Sequence, residues 1–136
     1  MVKRYLVLCT GNRCRSQMAQ GWLRHFGDDV QVFSAGTKPK GVHPLAIEVM
    51  NEAGVDISGH SSDFVGDYVD QPFDVVVTVC DAAHESCPTF PAAKRLVHRS
   101  FQDPDAELPQ NELRDLFRRI RDEIRDWAKD FVAAEM

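Results

Sequence analysis

The chain reads as an α/β protein built on a four-stranded parallel sheet flanked by helices. Three observations carry this reading. Short apolar runs alternate with helical patterns along the 136 residues. The first run, Tyr5-Leu-Val-Leu-Cys9, stops at a glycine-bearing loop and leads straight into a helical pattern. The last part of the chain is one long amphipathic segment. Strands that alternate with helices imply parallel pairing through right-handed crossovers. Such sheets bind ligands at the carboxyl ends of their strands.

Each element has its own signal. A strand over Lys3–Cys9 is short, apolar and glycine-bounded, so it reads as buried. Ser16 reads as the N-cap of a helix running to Phe26. A strand is expected at Val30–Ala35, then a helix at Pro44–Ala53 with Leu45, Ile47, Val49 and Met50 as its apolar surface. A shorter helix is expected at Ser61–Val69, a strand at Phe73–Val79 and a weaker strand at Arg95–His98. In Glu112–Ala134 the residues Leu113, Leu116, Phe117, Ile120, Ile124, Trp127 and Phe131 recur at three- and four-residue steps. That is a helix with one buried face, packed on the sheet, with Arg118 and Asp122 able to pair one turn apart on the other.

Size and composition bound the function. Residues 1–136 fit one domain with a real core, at 43% hydrophobic and 27% charged residues. No run of ~18 apolar residues predicts a membrane span. The first apolar run is too short for a signal peptide, so a cytoplasmic location is expected, where any disulfide is catalytic. A net charge of −5 argues against general nucleic-acid binding. The charge is uneven: residues 1–40 hold seven basic and two acidic side chains, the remainder nine and nineteen. The basic excess surrounds Cys9–Ser16. A monomer is expected.

The segment Cys9-Thr-Gly-Asn-Arg-Cys-Arg-Ser16 carries the chemistry. It joins a strand end to a helix start, where backbone N–H groups and the helix dipole favour an anion. Successive amides in a tight loop add a nest for the same charge. Thr10, Gly11, Asn12, Arg13, Cys14, Arg15 and Ser16 therefore form a candidate oxyanion loop. The same field favours a thiolate, so Cys9 reads as a nucleophile. Arg15 offers a planar fork of donors to a tetrahedral oxyanion. The cysteine spacings, four and six intervening residues, fit a structural zinc site poorly.

Cys-x5-Arg-Ser after the first strand resembles the signature of the low-molecular-weight tyrosine phosphatases. Phe101-Gln-Asp103-Pro104 is similar to the loop that supplies their general acid. Cys80 and Cys87, in Cys-Asp-Ala-Ala-His-Glu-Ser-Cys-Pro after the third strand, extend the resemblance to the thioredoxin-coupled arsenate reductases of that fold. Phe33-Ser-Ala-Gly-Thr37 and Asp56–Asp63 are similar too. The resemblance implies strand order 2-1-3-4, which sets Cys9 and Cys80 at neighbouring strand ends, within disulfide reach. It implies that arsenate, with phosphate or sulfate as analogues, sits in the loop against Arg15. Cys9 attacks arsenic and Asp103 protonates the departing oxygen.

The implied relay runs through a transient Cys9–Cys80 disulfide to a Cys80–Cys87 disulfide, which thioredoxin reduces. If residues 80–87 were helical, their ends would stand about 10 Å apart, so the segment must unwind to oxidise. Cys14 reads as a packed thiol, and Asn12 and Ser16 as buttresses of the loop. Some thioredoxin-coupled relatives bind potassium near the loop, and the matching positions are Asn12, Gln20, Ser34, Ser61 and Asp63. Gln20 replaces a glutamate of that pattern, so one ligand charge is missing. His60 reads as tuning this region, the other histidines as ordinary. No tightly bound cofactor is implied, since thioredoxin brings the electrons. The alternative is a tyrosine phosphatase acting through Cys9 and Asp103, for which Cys80 and Cys87 have no use.

Overall fold

The computed structural model describes residues 2–135. Strand β1, Lys3–Cys9, lies inside the sheet between β2, Val30–Gly36, and β3, Phe73–Thr78. The edge strand β4, Ala93–His98, completes the order β2-β1-β3-β4, with every pair parallel. Tyr5 through Cys9 are all buried. A parallel strand covered on both faces cannot alternate polar and apolar residues, so its sequence is a continuous apolar run.

Among the described residues four helices flank the sheet, α1 and α3 packing on it directly: α1, Arg15–Phe26; α2, Pro44–Glu52; α3, Asp81–Glu85; and α4, Gln110–Glu135. His43 caps α2, its Nδ1 accepting the Leu45 N–H at 3.0 Å, and Pro44 opens the first turn. Helix α4 buries Leu113, Phe117, Ile120, Ile124, Ala128 and Val132. It packs chiefly on α1 and α2 rather than directly on the sheet, with Phe131 meeting Tyr5 of β1 edge-on at 5.6 Å. None of the helices is long and apolar enough to cross a membrane among the described residues.

Local expectations fail where a side chain has a better partner. Ser16 is not a cap: α1 begins one residue earlier and its N-cap position, Cys14, makes no side-chain cap bond. The Ser16 hydroxyl is held by the loop instead. The helix expected at Ser61–Val69 is only a 3-10 turn, Val65–Asp67. There Asp63 bonds through its N–H, carbonyl and side chain to Asn12, Gly36 and Tyr68. Arg118 pairs with Glu52 of α2 and with Asp115, while Asp122 pairs with Arg121 and Arg125. A cross-helix carboxylate thus takes the place of the expected one-turn pair.

Candidate active site

The loop after β1 is organised by its carbonyls. Thr10 O accepts Lys38 N–H, Gly11 O accepts Lys40 N–H and Arg13 O accepts His43 N–H, at 2.9 to 3.0 Å. Asn12 O accepts from Gln17 Nε2 at 3.0 Å and from the Ser62 hydroxyl at 3.0 Å. Four consecutive carbonyls therefore turn outward. Peptide planarity sends the following N–H groups, Gly11 to Cys14, the opposite way. The turn needs Asn12 in the left-handed region at φ +46°, a conformation asparagine tolerates. Asn12 is fully buried and holds that turn with both ends of its amide: Nδ2 donates to Ser16 Oγ at 2.8 Å and Oδ1 accepts Asp63 N–H at 2.9 Å.

A cavity of about 310 Å³ opens at this loop. Cys9, Thr10, Gly11, Arg13, Cys14, Arg15, Lys40, Ala82, Asp103 and Asp105 line it, with no aromatic ring among them. Cys9 is only 3% exposed, and its sulfur lies 2.9 Å from Ser16 Oγ. Arg15 donates to the Phe101 carbonyl at 3.0 Å, and its other terminal nitrogen lies 3.7 Å from Asp103. The Asp103 turn is closed by Asp105 N–H, and Asp105 pairs with Arg13 at 3.0 Å. Burial, reinforced by Asp105 and Asp103, pushes the Cys14 thiol far up, so it stays protonated. In this cavity a bound tetrahedral anion would meet inward amides, the Arg15 guanidinium, the Cys9 thiol and the Asp103 carboxylate, with the Arg13–Asp105 pair at the rim.

Cys80 stands beside the loop, its sulfur 3.6 Å from Thr10 Oγ1 and accepting the Ala83 N–H of α3. It is buried, two residues past the end of β3, and Val79 N–H still pairs with Leu8 O of β1. Cys87 is elsewhere, half-buried in a second cavity with Thr78, His84, Phe90 and His98. Burial pushes its thiol up. Helix α3 lies between the two cysteines and ends at Glu85, two residues before Cys87.

Of the residues matched to a potassium site, Gln20, Ser34, Ser61 and Asp63 share a third cavity, and Asn12 does not line it. Three oxygens of that set already accept hydrogen bonds. Gln20 Oε1 accepts from Ser34, Asn12 Oδ1 from Asp63 N–H and Asp63 Oδ2 from Tyr68. The Arg24 guanidinium lines the same cavity and would repel an ion there. Among the described residues no three His, Cys, Asp or Glu side chains gather as a metal site.

Arg24 belongs to a chain of bonds that reaches the loop. It can only donate, so His60 Nε2, 3.1 Å away, is the acceptor and Nδ1 carries the proton. His60 Nδ1–H then donates to Gln17 Oε1 at 2.9 Å, leaving Gln17 Nε2 for the Asn12 and Ser61 carbonyls. Burial and the Arg24 charge lower the His60 pKa to about 4, which keeps the ring neutral.

Fold and loop together point to one class, the α/β proteins that cradle a tetrahedral anion against a cysteine. Comparison with known proteins narrows it. The chain belongs to the low molecular weight phosphotyrosine protein phosphatase family, which it matches over residues 4–135. It is 47% identical to an arsenate reductase of Halalkalibacterium halodurans over 127 residues, 92% of this chain and 91% of that one. Two solved structures, an arsenate reductase in the phosphate binding state and one in the oxidized state, superpose with TM-scores of 0.83 and 0.84. Their identities are 29% and 28%, each with 98% of both chains covered.

Sequence reasoning missed Gly36, Gln17 and Ser62. Gly36 pairs with Cys9, and a Cβ there would lie 2.5 Å from the Thr10 carbonyl oxygen and 2.8 Å from Asn12 N. Its only signal was a glycine ending β2. Gln17 and Ser62 carry no signal, since nothing in the residue type says which carbonyl it will meet.

Gly36→Ala is expected to weaken phosphate binding by about 10- to 100-fold while the sheet stays folded, because both contacts are backbone and cannot yield without moving the loop. Titration calorimetry with phosphate checks this, and unchanged affinity would contradict it. For His60, the lowered folded-state pKa means its contribution to stability is complete above about pH 6.5 and is lost as pH falls towards about 4. His60→Asn is expected to flatten the fall in that window by on the order of 1–2 kcal/mol, allowing for solvent screening. Urea unfolding at stepped pH measures the difference.

Proposed function

We propose that this chain reduces arsenate to arsenite by a three-thiol relay recycled by thioredoxin. One observation carries the reading: a second buried thiol, Cys80, stands beside the anion loop, two residues past the end of the strand hydrogen-bonded to that of Cys9. Hydrolysis of a phosphoester needs one thiol; a two-electron reduction needs two. The arsenate reductases among the relatives support the same substrate. The rim agrees with a small inorganic anion, because Arg13, Lys40 and Asp105 offer charge, and neither they nor Ala82 offer a ring to stack on a phenol.

Arsenate enters with its oxygens towards the Gly11–Cys14 amides and Arg15. The Cys9 thiolate attacks arsenic, and Asp103 protonates the oxygen that leaves as water. The Cys80 thiolate then attacks the Cys9 sulfur. The sulfur–arsenic bond breaks with its electron pair left on arsenic, so arsenite departs and a Cys9–Cys80 disulfide forms. Cys87 next attacks the Cys80 sulfur, and Cys9 leaves as thiolate. The raised Cys87 thiol supports an ordered sequence, in which Cys87 reacts only after leaving its apolar cavity. Thioredoxin returns the Cys80–Cys87 disulfide to two thiols, which suits the reducing cytoplasm. The same Cys9, Arg15 and Asp103 would hydrolyse aryl phosphates slowly as a side activity.

The test is arsenate-dependent NADPH oxidation with thioredoxin and its reductase. Cys80→Ser and Cys87→Ser are each expected to stop multiple turnover while aryl phosphate hydrolysis through Cys9 survives. Cys87→Ser should complete one reduction and accumulate the Cys9–Cys80 disulfide, visible by mass mapping. Full turnover by Cys87→Ser would exclude the relay.

A further inference from the structure

Helix α3 has five residues and buries only Ala83. A helix this short does not persist on its own, so its neighbours must hold it. At its ends His84 N–H bonds to Cys80 O and Ser86 N–H to Ala82 O, each at 3.1 Å, the Ser86 hydroxyl donates to Ala82 O at 2.7 Å, and the Cys80 sulfur accepts Ala83 N–H. A further anchor is His98, at the carboxyl end of β4.

His98 grips α3 at two places one turn apart. Its Nε2 lies 3.0 Å from Asp81 Oδ1, at the first residue of the helix. Its ring stacks on that of His84, with centroids 4.2 Å apart and planes 28° from parallel. His98 is itself held from beneath, since Nδ1 lies 2.7 Å from the hydroxyl of Thr78, which is buried at the end of β3. His84 Nδ1 also approaches that hydroxyl, at 3.4 Å. With both rings neutral the protons run one way: His84 Nδ1–H to Thr78, Thr78 O–H to His98 Nδ1, and His98 Nε2–H to Asp81. Each group then donates once along the chain, and α3 is tied to two strand ends.

The position of this clamp gives it a consequence. It fastens the segment between Cys80 and Cys87, and His84 and His98 line the cavity that holds Cys87. With α3 in place Cys80 faces Thr10 while Cys87 lies in that other cavity, whereas a disulfide needs the two Cα atoms within about 7 Å. We propose that His98 is a positioning residue for thiol exchange: it clamps α3 through Asp81 and His84, and release of that clamp is part of bringing Cys87 to Cys80. The proposal rests on the relay described above. Each bond that the clamp adds to the dithiol form must be lost in the disulfide form, so the clamp biases the pair towards dithiol.

The pair can be isolated in a Cys9→Ser background and equilibrated in dithiothreitol buffers. There the Cys80 and Cys87 thiols give up two electrons and two protons, and oxidised dithiothreitol takes them to become its dithiol. Adding His98→Ala is expected to raise the oxidation equilibrium constant about 3- to 10-fold, with His98→Gln in between because it keeps a donor to Asp81 but no ring. Amide hydrogen exchange over residues 82–86 of the reduced form should quicken by a similar factor. Aryl phosphate hydrolysis by His98→Ala with Cys9 intact should stay within about two-fold, which general loosening of the fold would not allow. If the disulfide forms equally with and without His98, the clamp is wrong and the relay stands. Faster exchange without a change in the equilibrium also overturns the proposal. If no Cys80–Cys87 disulfide forms in the Cys9→Ser background at any buffer ratio, the relay fails and takes the proposal with it.

Discussion

Four consecutive carbonyls in one short loop have to point away from the same centre, and the rest of the site depends on that. Thr10, Gly11, Asn12 and Arg13 each meet a donor outside the loop, drawn from the segment after β2, from α1 and from residue 62. Buried carbonyls without such partners would turn back or stay unsatisfied, at a cost of about 1–3 kcal/mol each. Once they are satisfied outward, peptide geometry leaves the amides inward. The site is thus a set of dipoles fixed before any anion arrives, the arrangement that stabilises developing charge without reorganisation.

Neighbouring elements serve this constraint in different ways. Gly36 lets β2 pass close enough for Lys38 and Lys40 to reach the loop. Asn12 takes the left-handed turn and ties it to Ser16 and Asp63. The Arg24–His60–Gln17 series reaches the same turn from the far side, with a guanidinium at its outer end. Asp103 and Arg15 stand at the opposite rim, where the Phe101 carbonyl holds the guanidinium.

Much of this was legible in the chain itself. Continuous burial made β1 and β3 readable as apolar runs, and the three- and four-residue recurrence made α4 readable almost to its ends. The cysteine–arginine spacing marked the loop, and Cys9, Arg15 and Asp103 do meet at one cavity. What escaped was decided by tertiary partners. Ser16 has the look of a cap, yet its hydroxyl goes to Cys9 and Asn12. Residues 61–69 have helical spacing, yet Asp63 bonds to three different segments and only a 3-10 turn survives. The Ser34 hydroxyl bond to Gln20 and the Arg24 guanidinium in the same cavity likewise had no local signal. The two-point grip of His98 on α3 joins residues 14 and 17 positions apart and has no local signature.

The inward amide cradle is the claim on which substrate, nucleophile and relay all stand. Backbone 15N–1H spectra during titration with phosphate, in a Cys9→Ser protein, test it most directly. The account predicts the largest shifts at Gly11, Asn12, Arg13 and Cys14, together with the Arg15 guanidinium, and small shifts at the Arg24 and His98 cavities. Phosphate shifts confined to exposed lysines, with the Gly11–Cys14 amides unmoved, would contradict it.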